Sequence, residues 1–364
     1  MHIQANPPGA SFFLGASTPG GFYSLFGQLA DPAGGGRLLI IKGGPGTGKS
    51  SLMRRIAGAA AQRGLYYEQI FCSSDPDSLD AVILPGLGLS VADGTPPHTL
   101  EPRYPGVCET LLDLGRFRND AALAAHREEI VALTDENRAQ HAAAAAFLKA
   151  AESVTAEIDA AAEDALDEAA LHRFAVRFAA SFVASAASSP GRERLRFLSA
   201  FTPVGIKVLD EGFGGPDRRT VVLRDEYGLA ANAILTVLSQ AATAAGFDVV
   251  RCPCPTAPES RTEHLFVPGL SLAVVTANAF HPFPGEAERT VSCARFYDRG
   301  SLAASKNRLR FCRRARRELY DAAVEKLAAA KGVHDALERH YIRAMDFSAL
   351  NGCADRLIAD IFGA

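Results

Sequence analysis

Apolar residues fall into short continuous runs in two parts of the chain and into long breaker-free stretches after each of them. RLLIIK from Arg37, LYYEQIFC from Leu65, LGLSVAD from Leu87 and RTVVLR from Arg219 each have the length and composition of a short buried strand. SLMRRIAGAAAQR, directly after Ser50, spaces Leu52, Ile56 and Ala59 along one helical face and stops at Gly64 with Arg63 in its last turn. No glycine or proline occurs between Gly115 and Pro190, and alanine, glutamate, arginine and leucine dominate that interval. Strong helix formers without breakers predict long helices, and one from about Asn119 to Ala165 would extend roughly 70 Å. A second such region follows Pro284 and Gly285, interrupted only by Gly300, Gly332, Gly352 and Gly363. Turns are expected near Asp167 and Asp346, at matching places in the two regions.

The pattern occurs twice because the chain repeats itself. FFLGASTPGG from Phe12 answers RFLSAFTPVG from Arg196, and RLLIIK answers RTVVLR. LPGLGLSVADGTPPH from Leu84 answers VPGLSLAVVTANAFH from Val267, so His98 meets His281. Further on, Phe117 pairs with Phe296, Leu148 with Leu327 and Leu171 with Leu350. A repeat fixes the number of folding units before any fold is assigned. The repeat divides the chain into a front core at 11–116, a helical arm at 117–189, a linker at 190–195 that overlaps the segment Ser188 to Arg192, a second core at 196–295 and a second arm at 296–364.

Composition adds exclusions. A length of 364 with 48% hydrophobic residues supports two substantial cores, and a net charge of -3 offers no whole-chain attraction to nucleic acid or anionic membrane. No apolar run reaches the roughly 20 residues of a membrane helix, and MHIQANPPGA lacks the parts of a signal peptide, so a cytoplasmic protein is expected. Seven cysteines suit reduced thiols, and the C-x-C pair Cys252 and Cys254 has no partner set for a metal.

Chemistry concentrates at one place. GGPGTGKS, Gly43 to Ser50, follows the strand RLLIIK and opens a helix, the context in which G-x-x-x-x-G-K-S reads as a phosphate-binding loop. Gly43, Gly44, Pro45, Gly46, Thr47 and Gly48 would bring backbone N–H groups to phosphate oxygens, helped by the positive end of the helix. Lys49 would reach the β- and γ-phosphates, Ser50 would place its hydroxyl on Mg²⁺, and Ser51 would help hold the α-phosphate. Mg²⁺ needs a further oxygen anchor, and Asp93, ending LGLSVAD, either supplies it or simply begins the turn DGTPP. SSDPDSLD offers Asp75, Asp77 and Asp80 at the carboxyl end of a strand, where Asp75 or Asp77 would orient water or a hydroxyl nucleophile. The alternative is that Asp77 or Ser78 caps a short helix beginning SLDAVI. No glutamate follows Asp93, which points to slow or partner-stimulated turnover.

The second repeat lacks all of this. Asp225 to Asn232 reads DEYGLAAN, so Lys49 meets Ala231, Ser50 meets Asn232, and Gly43 and Gly44 meet Asp225 and Glu226. Two carboxylates facing a triphosphate would each repel it by about 1 kcal/mol in water and about 4 in a partly desolvated cleft. Asp75, Asp77 and Asp93 meet Pro258, Ser260 and Thr276. His98 persists as His281 beside the altered loop, which reads as a structural role, a buried hydrogen bond at a Pro-rich turn. KNRLRFCRRARR, Lys306 to Arg317, sets Lys306, Arg310, Arg313, Arg314 and Arg317 on one helical face, able to track nucleic acid or a protein partner, or to face the acidic stretch Glu152 to Glu168 within the molecule.

Taken together, Thr18, Pro19 and Gly21 of the entry segment, KGGPGTGKS at Lys42 to Ser50, CSSDPDSLD at Cys72 to Asp80 and ADGTPPH at Ala92 to His98 resemble a family of bacterial proteins described as tandem P-loop ATPases. The resemblance covers nearly the whole chain and implies an α/β fold of tandem P-loop NTPase-like repeats, each with a parallel sheet flanked by helices and a long helical arm after it. It also implies ATP binding. Family members commonly carry a loop in both halves, from which DEYGLAAN departs. The expectation is an intramolecular pseudo-dimer with one ATP and Mg²⁺ site, working as a slow ATPase and conformational switch. A small-molecule or nucleotide kinase and a nonhydrolysing ATP-gated scaffold are the alternatives.

Overall fold

The computed structural model describes residues 9–31, 34–183, 187, 189–209, 218–283 and 285–363. Met1 to Pro8, Ser188, Pro284 and Ala364, which enter the sequence reading, lie outside them. The first half contributes β1 (Ala10–Phe13), β2 (Gly15–Thr18), β3 (Gly21–Ser24), β4 (Arg37–Lys42), α1 (Lys49–Gln62), β5 (Glu68–Phe71), β6 (Leu79–Leu84), β7 (Leu89–Asp93), β8 (Glu109–Asp113), α2 (Asp120–Ala124), α3 (Arg127–Glu163) and α4 (Glu168–Ala180). The second contributes β9 (Glu193–Leu195), β10 (Ser199–Thr202), β11 (Gly205–Val208), β12 (Arg219–Arg224), α5 (Leu229–Ala244), β13 (Val249–Cys254), β14 (Ala257–Val267), β15 (Leu272–Ala277), β16 (Arg289–Ser292), α6 (Arg299–Ala304), α7 (Lys306–Arg343) and α8 (Phe347–Phe362).

The fold is α/β, with mixed sheets of mostly parallel strands flanked by helices. One six-stranded sheet has the order β1-β5-β6-β7-β4-β8, and the other, read in the same sense, β9-β13-β14-β15-β12-β16. In each, the third strand runs against the rest. β2 and β3, and β10 and β11, form matching two-stranded hairpins.

Several expectations differ from this arrangement. SLDAVI forms no helix: Leu79–Leu84 is the strand β6, held between β5 and β7 on both edges and buried along nearly its whole length. Part of the linker at 190–195 is the edge strand β9, paired with β13. The helix expected from Asn119 to Ala165 breaks at Ala125 and His126 into α2 and α3, although propensity alone would carry it through. The buried face of α1 is Leu52, Met53, Ile56, Ala57 and Ala60, with Ala59 only partly covered. Both expected turns are present, with Asp167 and Asp346 accepting the N–H groups of Ala170 and Ala349 as N-caps.

Alternation along each sheet separates two cores. Leu39 and Ile41 of β4 face α1 and α8, whereas Leu38 and Ile40 face a core shared with Val222, Phe266 and Val275 of the other sheet. α4 packs on the second sheet, with Leu171, Phe174 and Phe178 against Val221, Leu223, Ile234 and Leu238. α8 packs on the first, with Leu350 and Ala354 against Leu52, Ile56 and Val91. The terminal helix of each arm therefore completes the core of the opposite half.

The crossing contacts come in reciprocal pairs. Asn119 N donates to Ala344 O (2.8 Å) and Asp346 N to Phe117 O (2.9 Å); at the corresponding positions Asp298 N donates to Ala165 O (2.7 Å) and Asp167 N to Phe296 O (2.8 Å). Phe13 and Phe197, equivalent to each other, exchange backbone hydrogen bonds of 2.8 and 2.9 Å. Such self-matching contacts are those of a two-fold arrangement. α3 and α7 run antiparallel, joined by Asn137 Nδ2 to Ala330 O (2.8 Å) and Arg308 to Glu157 (3.6 Å). Among the described residues no helix is long and apolar enough to cross a membrane.

Candidate functional site

The loop Gly43 to Gly48 joins β4 to α1, and its backbone requires glycine where the sequence has it. Gly46 and Gly48 have φ of 66° and 85°, a region that side chains with a Cβ avoid. A Cβ at Gly44 would lie 2.6 Å from the Tyr341 ring, and one at Gly46 would lie 2.7 Å from Ile342 and 3.0 Å from the Glu338 carbonyl. The far end of α7 thus rests directly on the loop. Thr47 Oγ1 donates to Gly44 O (2.8 Å), and Lys49 Nζ donates to the carbonyls of Gly43 (3.1 Å) and Gly44 (2.8 Å). Ser50 Oγ accepts the Leu79 N–H (2.9 Å).

Beside the loop stands an acidic wall. Asp93, at the end of β7, lies 3.4 Å from Lys49 through Oδ2, while Oδ1 accepts from the Thr95 N–H (2.8 Å) and hydroxyl (2.6 Å). Asp80 of β6 is buried, and desolvation raises its pKa to about 6, against the opposing pull of His98 4.0 Å away. Asp75 accepts from the Ser78 hydroxyl (2.9 Å) and meets Lys331 of α7 at 3.7 Å. Asp77 offers its carbonyl to Arg54. Burial works against the charge of Lys331, but Asp335 and Asp75 outweigh it and raise its pKa.

These groups line one cavity of about 760 Å³. Gly43, Gly44, Pro45, Gly46, Thr47, Gly48, Lys49, Ser50 and Ser51 form its floor, and Asp75, Asp77, Asp80, Asp93 and His98 its side. Its roof is the front of α3, with Asn137 and His141, and the back of α7, with Lys331, His334, Glu338 and Tyr341. All the loop and acidic residues singled out from the sequence meet here. The roof was not foreseen, since its α3 part lies about 90 residues and its α7 part nearly 300 residues beyond the loop; the sequence signal of the α7 part is the helical spacing of Lys331, His334, Glu338 and Tyr341. His98 also departs from expectation. Neither ring nitrogen has a hydrogen-bond partner among the described residues, and the ring stacks on Phe26 with centroids 4.2 Å apart.

The matching place in the second half is closed. Asp225, standing where Gly43 stands in the first, turns its carboxylate onto the start of α5: Oδ2 accepts the Ala231 N–H (2.8 Å), Oδ1 the Tyr227 N–H (3.1 Å), and the Tyr297 hydroxyl donates to the same group (3.1 Å). An internal anion thus holds the helix N-terminus. Tyr227, Phe280, Arg316 and Tyr320 replace Pro45, Pro97, Asn137 and His141, and the cavity between them is about 50 Å³. Arg308, Arg313 and Arg261 pair with Glu157, Glu226 and Asp159, while Lys306, Arg310, Arg314 and Arg317 stay exposed.

The first cavity has the dimensions of a small-molecule or cofactor site, commonly about 300–1,000 Å³, and the second does not. The glycine cradle, the lysine at a helix start and the Asp93 carboxylate, whose Oδ2 faces that lysine, make a set of groups suited to a polyphosphate with a divalent cation. Comparison with protein-family models, with curated proteins and with solved structures found no match to this chain.

Proposed function

We propose that the chain is a tandem P-loop NTPase-like pseudo-dimer that binds ATP with Mg²⁺ at Gly43 to Ser51 only, and hydrolyses it slowly as a conformational switch. The observation that carries this reading is the junction of β4, a left-handed glycine loop and α1 with Lys49 at its start, opening into a cavity of about 760 Å³. In this proposal Lys49 releases the Gly43 and Gly44 carbonyls for phosphate oxygens, and Ser50 and Asp93 hold Mg²⁺. The ion would draw charge from the γ-phosphate, and Asp75 or Asp77 would orient the attacking water.

The switch follows from what touches the loop. Tyr341, Ile342 and Glu338 lie against Gly44 and Gly46, and Lys331 joins Asp75, so a phosphate entering the cradle bears on α7. α7 runs on to the second half, where Arg313 meets Glu226 at 3.7 Å. Titration calorimetry with Mg-ATP should show one nucleotide per chain, and Lys49→Ala should abolish binding and release of phosphate. Purified protein that binds no ATP in the presence of Mg²⁺ would sink the reading.

A further inference from the structure

The geometry points to a second cation site in the first half, in which Asp80, Asp93 and His98 bind a first-row divalent transition ion of the Mn²⁺ type. It shares Asp93 with the proposed nucleotide site but does not rest on nucleotide binding. The three side chains offer ligand atoms that all lie within 4.8 Å of one another. Metal bonds of about 2.1 Å place ligands no more than roughly 4.2 Å apart, so small side-chain shifts suffice. All three residues are at least nine-tenths buried, and all three line the cavity, which leaves open positions for water or phosphate oxygens.

The independent observation is the state of His98. It is 5% exposed, and among the described residues neither ring nitrogen has a hydrogen-bond partner. A buried imidazole in that condition is costly unless something binds it. The second half shows a histidine with closer partners: one ring nitrogen is hydrogen-bonded and the other lies against a carboxylate without hydrogen-bond geometry. There His281 lies 2.9 Å from Glu263 through Nδ1 and 2.7 Å from the Ser199 hydroxyl through Nε2. In the first half Gly15 replaces Ser199 and Asp80, one methylene shorter, replaces Glu263, which leaves 4.0 Å between carboxylate and ring. Asp93 replaces Thr276 and adds a second carboxylate. Each of the three replacements removes an internal partner from the histidine or adds an anionic oxygen near it. An imidazole with two carboxylates suits Mn²⁺, Fe²⁺, Co²⁺ or Zn²⁺ better than an all-oxygen set, which suits Mg²⁺ or Ca²⁺.

The test uses the full chain with Mn²⁺ and no nucleotide. Pulsed EPR should show one bound Mn²⁺ with imidazole nitrogen modulation, lost in His98→Gln, and binding should weaken at least tenfold in Asp80→Asn. Lys49→Ala, which removes the proposed nucleotide site, should leave the ion and its nitrogen signal in place. Mn²⁺ bound without nitrogen modulation in the wild-type chain would overturn the site, as would no bound Mn²⁺. Modulation that persists in His98→Gln would do the same, since it would place the ion at another histidine. Because the decisive reading is made on the wild-type chain, a poorly folding variant does not remove the test.

Discussion

At the residue scale, Asp225 shows how one position decides the fate of a loop. Read along the chain it is a charge that repels phosphate; in three dimensions it also takes the amide of Ala231 and the Tyr297 hydroxyl. Tyr297→Phe should therefore lower stability by about 1–2 kcal/mol in urea unfolding, the cost of a buried acceptor that loses a donor. It should not create a second nucleotide stoichiometry, because Tyr227, Phe280, Arg316 and Tyr320 still leave only about 50 Å³ where the first half has its cavity. His264 carries a pH dependence. Burial pushes its imidazole down to about 3 from an ordinary 6.5, with Glu263 opposing. As pH falls below about 6.5 the unfolded chain takes up this proton and the folded chain does not, so stability drops by on the order of 1–3 kcal/mol by pH 4. His264→Leu should flatten that part of a stability profile; an unchanged slope would assign it to other groups.

At the element scale, buried strands such as RLLIIK were legible because such runs leave little choice, whereas SLDAVI reads from the sequence as the start of a short helix capped by Asp77 or Ser78 and is a strand. Its apolar length fits a strand or a helix start, and only its position between β5 and β7 selects the strand. α8 is the converse case. Its amphipathic pattern announces a helix but not the surface it covers, which is the face of α1 and the first sheet. Leu350 is 4% exposed, so Leu350→Ala should destabilise the chain by about 2–5 kcal/mol in denaturant titration. It should also weaken nucleotide binding if the loop is the nucleotide site, since a Cβ on Gly48 would stand 3.6 Å from that side chain. Equal nucleotide affinity in a folded Leu350→Ala protein would separate α8 from the loop.

At the scale of the whole molecule, the exchanged arms make the two halves one folding unit. A fragment of residues 9–183 would expose the α1 face that α8 covers, and it would carry α4 without the second sheet. Such a fragment should lack a cooperative thermal transition by circular dichroism, while both halves expressed together should recover it. The full chain should unfold in a single step, because Leu38 and Ile40 share a core with Val222 and Phe266. Two well-separated transitions would show that the shared core does not couple the halves.

The sequence by itself determined the repeat, the strands beside the loop, the asymmetry between GGPGTGKS and DEYGLAAN, and the capping turns at Asp167 and Asp346. These are local properties, set by periodicity, glycine geometry and the order of residues along the backbone. Tertiary structure alone decided that each arm closes over the opposite half, that α7 roofs the loop, and that Asp225 fills its own helix terminus. It also decided that His98 lies beside Asp80 and Asp93 with no hydrogen-bond partner among the described residues. Those outcomes depend on which buried faces meet, and the residues involved are separated by up to about 300 positions that no local pattern spans.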